Sequence, residues 1–198
     1  MNRSGPLRRG VLLLAALALV ACAHPPPEGF TIPDDEDEPP LHSVSHVDLT
    51  RYAGRWYLIA NIPYFAERGN VGVYVEYSMR DDGTLADDYT ARDSFDEEPF
   101  TKHGSIEIAN PMTHAEGRIT FLPPIWQDYA VVFLDKDYRY SVIAHPTRNY
   151  CWIFAREPRM PDDVYEAALE ALKDNGFDLD RIFKVPQQRE DVGQPGFQ

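Results

Sequence analysis

The chain has 198 residues, 43% hydrophobic and 12% aromatic, which suits one domain with a real core and excludes global disorder. Its 19 Lys and Arg against 32 Asp and Glu give a formal charge of −13, which argues against a nucleic-acid partner because phosphate binding needs a basic face. Two cysteines exclude a disulfide-rich scaffold and a four-cysteine zinc site.

Arg3, Arg8 and Arg9 make a basic start, followed by apolar or small residues over 10–21. Twelve such residues are too few for a bilayer core of ~30 Å, which needs roughly 20. The stretch reads as a secretory signal peptide over 1–21. Its end, Leu19-Val20-Ala21-Cys22, resembles the bacterial lipobox, in which the cysteine carries acyl chains such as palmitate and becomes the mature N-terminus. Ala23 follows rather than Asp, which points to outer-membrane sorting, facing the periplasm. Several acyl chains at one end anchor stably, because each buried CH₂ contributes ~0.8 kcal/mol. Cys22 so modified leaves Cys151 without a partner, and Cys151 reads as a packed thiol in a strand rather than a nucleophile.

Residues 22–46 hold Pro25-Pro26-Pro27, the acidic run Asp34-Asp35-Glu36-Asp37-Glu38 and Pro39-Pro40. Proline and like charge both extend a chain, so this is an expected tether between the membrane and the folded body. The body then reads as short β-rich runs over 56–62, 71–80, 85–91, 103–109, 116–122, 129–134, 138–145 and 150–156. Asp81-Asp82-Gly83, Asn110-Pro111 and Asp135-Lys136-Asp137 punctuate them as tight turns. Regular short strands predict a sandwich or barrel.

One helix follows. Pro161 and Asp162 start it, Asp163 and Glu166 suit its positive end, and Gly176 ends it. Val164, Ala168, Leu169 and Leu172 share a face. Residues 181–185 predict a ninth strand, and the Gln/Gly/Pro-rich stretch 187–198 reads as a flexible tail.

Leu49-Thr50-Arg51-Tyr52-Ala53-Gly54-Arg55-Trp56-Tyr57 resembles the first lipocalin motif, whose core is Gly-x-Trp. Asp135-Lys136-Asp137-Tyr138 resembles the second, a carboxylate-rich turn between the sixth and seventh strands, and Arg156 resembles the third. Glu67-Arg68-Gly69, Tyr77-Ser78-Met79-Arg80-Asp81-Asp82-Gly83 and Gly176-Phe177-Asp178 are similar to the bacterial lipoprotein branch, close to apolipoprotein D. The resemblance covers 47–186. It implies an all-β fold: an eight-stranded antiparallel up-and-down barrel with one C-terminal helix and a short ninth strand. Gly54, Trp56, Asp135, Asp137, Tyr138 and Arg156 would be structural, with Arg156 against the Trp56 indole face at a closed end.

Alternation along strands then sets the lining, with Trp56 and Arg156 taken as inward on the family's pattern. Leu58, Ala60 and Ile62 would point inward from the first strand, and Val73, Val75 and Tyr77 from the second. Tyr89, Ile106, Ile108, Ile119 and Phe121 would follow, then Tyr129, Val131, Phe133, Ser141, Ile143 and His145. Tyr150, Trp152 and Phe154 would complete the circle. Ala60, Gly104, Gly117 and Ser141 would leave room for a ligand. Asp87 would also face inward, where an unpaired carboxylate is costly, so either a bulge or water is expected there.

Loops over 65–70, 92–102, 123–127 and 146–149 gather at the other end as a mouth. Arg68, Lys102, His145 and Arg148 map there and could meet an anionic head group. The ligand expected is a small amphiphile, a fatty acid or lysophospholipid, held tail first by residues such as Leu58, Val75, Phe133 and Trp152 for storage or transport in the envelope. No cofactor, metal or catalytic residue is required, and a homodimer is left open. One alternative is a lipid isomerase or de-epoxidase on the same scaffold, with Asp87, Tyr89 and His145 as candidate groups; another is a filled, structural barrel.

Overall fold

The computed structural model describes residues 39–198, Gly83 excepted, so the expected signal peptide, Cys22 and most of the tether lie outside the described residues. Eight antiparallel strands form the body: β1 (Gly54–Ile62), β2 (Val71–Met79), β3 (Leu85–Arg92), β4 (Phe100–Ile108), β5 (Glu116–Leu122), β6 (Ile125–Leu134), β7 (Tyr140–Ala144) and β8 (Cys151–Ala155). Each pairs with the next in sequence, and β1 pairs with both β2 and β8, so the sheet closes into a barrel. A single turn, α1 (Leu49–Tyr52), precedes β1 and a longer helix, α2 (Asp162–Asp174), follows β8. The short strand β9 (Phe183–Lys184) comes last.

Alternation along the strands makes two apolar clusters. The inner one includes Trp56, Leu58, Val73, Val75, Tyr77, Leu85, Tyr89, Ile106, Val131, Ile143 and Phe154. The outer one lies under α2 and includes Ile59, Ala60, Ile62, Val142, Ala144, Cys151, Ile153, Ala168 and Leu172. Strands β7 and β8 are therefore buried on both faces, which is why Tyr140-Ser141-Val142-Ile143-Ala144 and Cys151-Trp152-Ile153-Phe154-Ala155 read as apolar runs rather than alternations.

Two irregularities change the lining expected from the sequence. The β1–β8 register shifts between Leu58 and Ala60, and the β6–β7 register shifts between Val131 and Phe133. One extra residue reverses every side chain beyond it. Ala60 and Ile62 consequently sit in the outer cluster, not the barrel interior, and so does Phe133. Strict alternation fails here because α2 covers the outer face, so an apolar residue is buried on either side and its hydrophobicity no longer reports its direction. Beyond the β1 shift Asn61 is fully buried and registers with Trp152 of β8.

Helix α2 begins at the N-cap Pro161 with Asp162 and Asp163 in its first turn. It ends in a left-handed Gly176 (φ 83°), with the Gly176 and Phe177 amides donating to the Lys173 and Leu172 carbonyls and Phe177 packing in the same cluster as Leu172. A 3₁₀ turn (Leu179–Arg181) leads to β9, which lies antiparallel on β1 at Ala60 and Asn61.

The last residues are not a loose tail. The β1–β2 register runs only from Gly54↔Tyr77 to Tyr57↔Tyr74, and the C-terminal segment fills the gap beyond it. Val185 N donates to Ile59 O, Gly72 N donates to Pro186 O, and Gln187 Nε2 bridges Leu58 O (2.7 Å) and Val73 O (3.0 Å). Buried backbone groups need partners, and here the tail supplies them. The end of the expected tether is likewise part of the domain: Val44 N donates to Val131 O and Ser43 Oγ donates to Glu116.

Candidate functional site

One end of the barrel is closed by a set of interlocking bonds. Trp56 is fully buried, its Nε1 donating to Tyr52 O at 2.7 Å. The Arg156 guanidinium lies 3.9 Å from the Trp56 ring centroid and donates to the carbonyls of Tyr138, Arg55, Arg51 and Tyr52. Gly54 beneath it has φ 92°, a left-handed backbone that disfavours any side chain. The Asp135 carboxylate caps the turn before β7 by accepting from the Asp137, Arg139 and Tyr140 amides. Tyr138 Oη accepts from Asp48 N, tying that turn to α1, while the Asp137 side chain is exposed.

Above this floor the barrel holds a cavity of about 350 Å³, within the size range of small-molecule sites. Val75, Tyr77, Ile106, Phe121, Ile143, His145 and Trp152 line it, together with Tyr89, Ile119, Tyr129 and Phe154. Leu58 and Val131 point inward but are packed in the inner core rather than on the cavity wall. Tyr150 stands beside the mouth, near-parallel to Trp152 (6.4 Å between centroids) and edge-on to His145 (5.9 Å). The rim carries Phe65, Leu122 and Ile125, three large apolar side chains that are exposed and also line the cavity. Leu122 and Ile125 flank the two-residue turn 123–124, because β6 begins at Ile125, earlier than the pattern over 129–134 suggests.

Two cations expected at the mouth are elsewhere. Arg68 is exposed and outside the cavity wall. Arg148 is only 9% exposed and faces away: its guanidinium donates to the carbonyls of Asn175, Pro146 and Pro39, joining the β7–β8 turn to the end of α2 and to the N-terminal segment. A loop arginine amid free carbonyls finds them before it finds a ligand. Lys102 and His145 do line the cavity; Lys102 is its cation, whereas His145 Nδ1 accepts from Thr147 N.

The space anticipated at small residues is already filled. A Cβ at Gly104 would lie 2.8 Å from the Phe121 ring, and one at Gly117 would lie 2.7 Å from both Glu107 O and Tyr129 Oη. The buried Ser141 hydroxyl bonds Tyr52 Oη at 2.9 Å. The glycines accommodate neighbouring aromatic rings, and the cavity comes from the barrel's girth instead.

Three carboxyl groups line this apolar space, the exposed Asp128 and two that are more deeply set, Glu67 and Asp87. Glu67, from the β1–β2 loop, accepts from Trp152 Nε1 (3.1 Å), Asn61 Nδ2 (3.3 Å) and Tyr64 N (3.0 Å). Burial pushes its pKa up against the pull of those bonds. The family-like Glu67-Arg68-Gly69 run marks this loop in the sequence but not the direction of the acid, which emerges only because Trp152 and Asn61 converge on it. Asp87 is 3% exposed and registers between Tyr77 and Gly104 with no bulge in β3. Among the described residues its Oδ1 is buried without a hydrogen-bond partner. Burial first, then the charges of Asp88 and Glu67, raise its pKa to about 8, so the group is mostly neutral at pH 7. Cys151 is a free thiol in the outer cluster, pushed up to about 12 by burial. Among the described residues no group of three His, Cys, Asp or Glu side chains could hold a metal ion.

Similar proteins place this architecture. The chain is 32% identical over 174 residues to the outer membrane lipoprotein Blc of Escherichia coli (strain K12), covering 87% of this chain and 92% of that protein. It is 30% identical to temperature-induced lipocalin-1 of Arabidopsis thaliana, over 74% of this chain and 83% of the relative. Among solved structures, insecticyanin of the tobacco hornworm Manduca sexta superposes with a TM-score of 0.62 at 18% identity, over 77% of this chain and 87% of that one. Lobster apocrustacyanin A1 gives 0.58 at 17% identity, over 81% and 95%. The Lipocalin-like domain family matches residues 47–187, and with its closed eight-stranded barrel, Gly-x-Trp floor and Arg156 clasp the chain belongs to that family.

Proposed function

We propose that the protein binds fatty acids or lysophospholipids in the barrel cavity and carries or stores them in the bacterial envelope, held to the outer membrane by acyl chains on Cys22 and facing the periplasm. The observation that carries the reading is the apolar cavity of about 350 Å³ whose apolar lining continues onto an exposed rim of Phe65, Leu122 and Ile125. Burying about twelve methylenes would contribute ~10 kcal/mol gross, partly offset by ordering costs. The curated relatives named outer membrane lipoproteins and the Cys22 motif support the location.

The head group of an acid would lie beside Lys102, the cation on the cavity wall, with the His145 ring nearby. The test is a fluorescence displacement titration of delipidated protein with a fatty acid and the alcohol of equal length. Trp152→Ala should weaken both ligands, because it removes shared apolar contact. Lys102→Ala should weaken the acid several-fold and leave the alcohol within twofold. Equal losses for both would defeat the head-group assignment, and no binding of either would overturn the lipid-binding reading in favour of a purely structural barrel.

A further inference from the structure

The cavity has a polarity that a simple fatty acid does not use. Its cation, Lys102, is near the mouth and registers with Tyr89, whereas Asp87 lies one step deeper, on a sheet face shared with Tyr77 and Tyr89. Asp87 Oδ1 is the buried side-chain acceptor that finds no donor among the described residues. Such orphans are uncommon in native interiors, because each costs the desolvation of the group without a compensating bond. Here the orphan lines a cavity, so a ligand can supply the donor.

We propose that Asp87 is a recognition residue for an organic cation, an apolar amine that enters ammonium first and donates an N–H to Asp87 Oδ1 while its apolar part fills the cavity. The inference rests on the reading of the cavity as a ligand site and adds a second ligand class to it. An ammonium is favoured over a neutral hydroxyl by the surroundings. Glu67 and Asp88 put further negative charge near Asp87. Tyr77, Tyr89, Tyr129 and Trp152 line the same space, and ring faces attract a desolvated ammonium. The titratable groups around Asp87 are Tyr52 from α1, Tyr77 from β2, Asp88 and Tyr89 from β3, Tyr129 from β6 and Glu67 from the β1–β2 loop. Burial raises the four tyrosines above their ordinary value, so they stay neutral hydroxyls near pH 7 and cannot replace Asp87 as counter-ion.

The proton balance follows. In the ligand-free protein at pH 7 Asp87 is mostly protonated. An incoming alkylammonium keeps its own proton and favours the carboxylate, so binding releases up to about one proton from Asp87 to buffer. Affinity for the amine should rise between pH 6 and pH 9 as that proton becomes easier to remove.

Isothermal titration calorimetry on the delipidated full chain, with decylamine, decan-1-ol and decanoate in two buffers of different ionisation enthalpy, tests this. Wild type should bind decylamine at least tenfold more tightly than decanol and release close to one proton at pH 7. Asp87→Asn should lose that preference and the proton release while keeping decanol within about twofold. Asp87→Leu, which leaves no buried amide to satisfy, should do the same. Equal affinity for amine and alcohol in wild type, or equal loss of all three ligands in both variants, would overturn the Asp87 assignment while leaving the lipid site standing. Binding of none of the three would overturn both.

Discussion

Asp87 and Trp56 show what single side chains contribute at the two depths of the barrel. Asp87 has an ordinary pKa of 3.8 and one of about 8 in the fold. The folded state therefore binds a proton that the unfolded chain has lost across that window, and stability falls as pH rises through it. Below pH 3.8 the group contributes no difference, and above pH 8 the loss is complete. At ~1.4 kcal/mol per unit the loss is on the order of 5 kcal/mol. Asp87→Asn should match wild type at pH 3.5 and exceed it increasingly up to pH 8.5, as read by thermal melts across that range; a constant difference would show that Asp87 does not titrate on unfolding. Glu67 shifts in the same direction, so some slope should survive in the variant. Trp56 is fully buried and clamped by Arg156. Trp56→Ala should cost about 3–5 kcal/mol, the range for a large aromatic removed from a packed site. A chemical denaturation midpoint equal to wild type would show that Trp56 does not hold the closed end.

At the scale of strands, register decides which residues meet the cavity. Gly104 on β4 and Gly117 on β5 look equivalent in sequence, yet their neighbours differ. At Gly117 a Cβ would press on the Glu107 backbone carbonyl as well as Tyr129, and backbone cannot yield cheaply. At Gly104 it would meet only the ring of Phe121, a half-exposed side chain that can swing toward the mouth. Gly117→Ala should destabilise by about 1–3 kcal/mol, as overpacking does, and Gly104→Ala by clearly less. Equal denaturation midpoints for the two variants would contradict this account. The C-terminal segment acts on the same scale: β9 and Gln187 hold the parted halves of β1 and β2 together, so the barrel is completed by residues 183–187.

At the scale of the molecule, the proposed anchoring at Cys22 should be separable from folding. In the sequence the acidic, proline-rich run lies between Cys22 and the first residues bonded to the barrel strands, Ser43 and Val44. Cys22→Ser should therefore release the protein from membranes with an unchanged thermal midpoint. Fractionation after a high-salt wash measures it, and variant protein still in the outer membrane would defeat the anchor.

Much of the barrel was legible in the chain. Period-2 runs, turn residues and the Gly54-x-Trp56, Asp135 and Arg156 motifs sufficed for eight strands, a closed end and the helix bounded by Pro161 and Gly176, because those signals are local. With the phase taken from the family resemblance at Trp56 and Arg156, alternation placed Val75, Tyr77 and Ile106 inward, where the inner cluster holds them. It failed at Ala60 and Phe133, where α2 buries the outer face and a register shift costs no exposure. Glu67, Lys102 and Arg148 were settled only in three dimensions, since a loop charge's direction depends on which carbonyls, indoles and cavities lie within reach. The pairing of the tail with β1 and β2 was also invisible, because it satisfies backbone groups that side-chain patterns do not report.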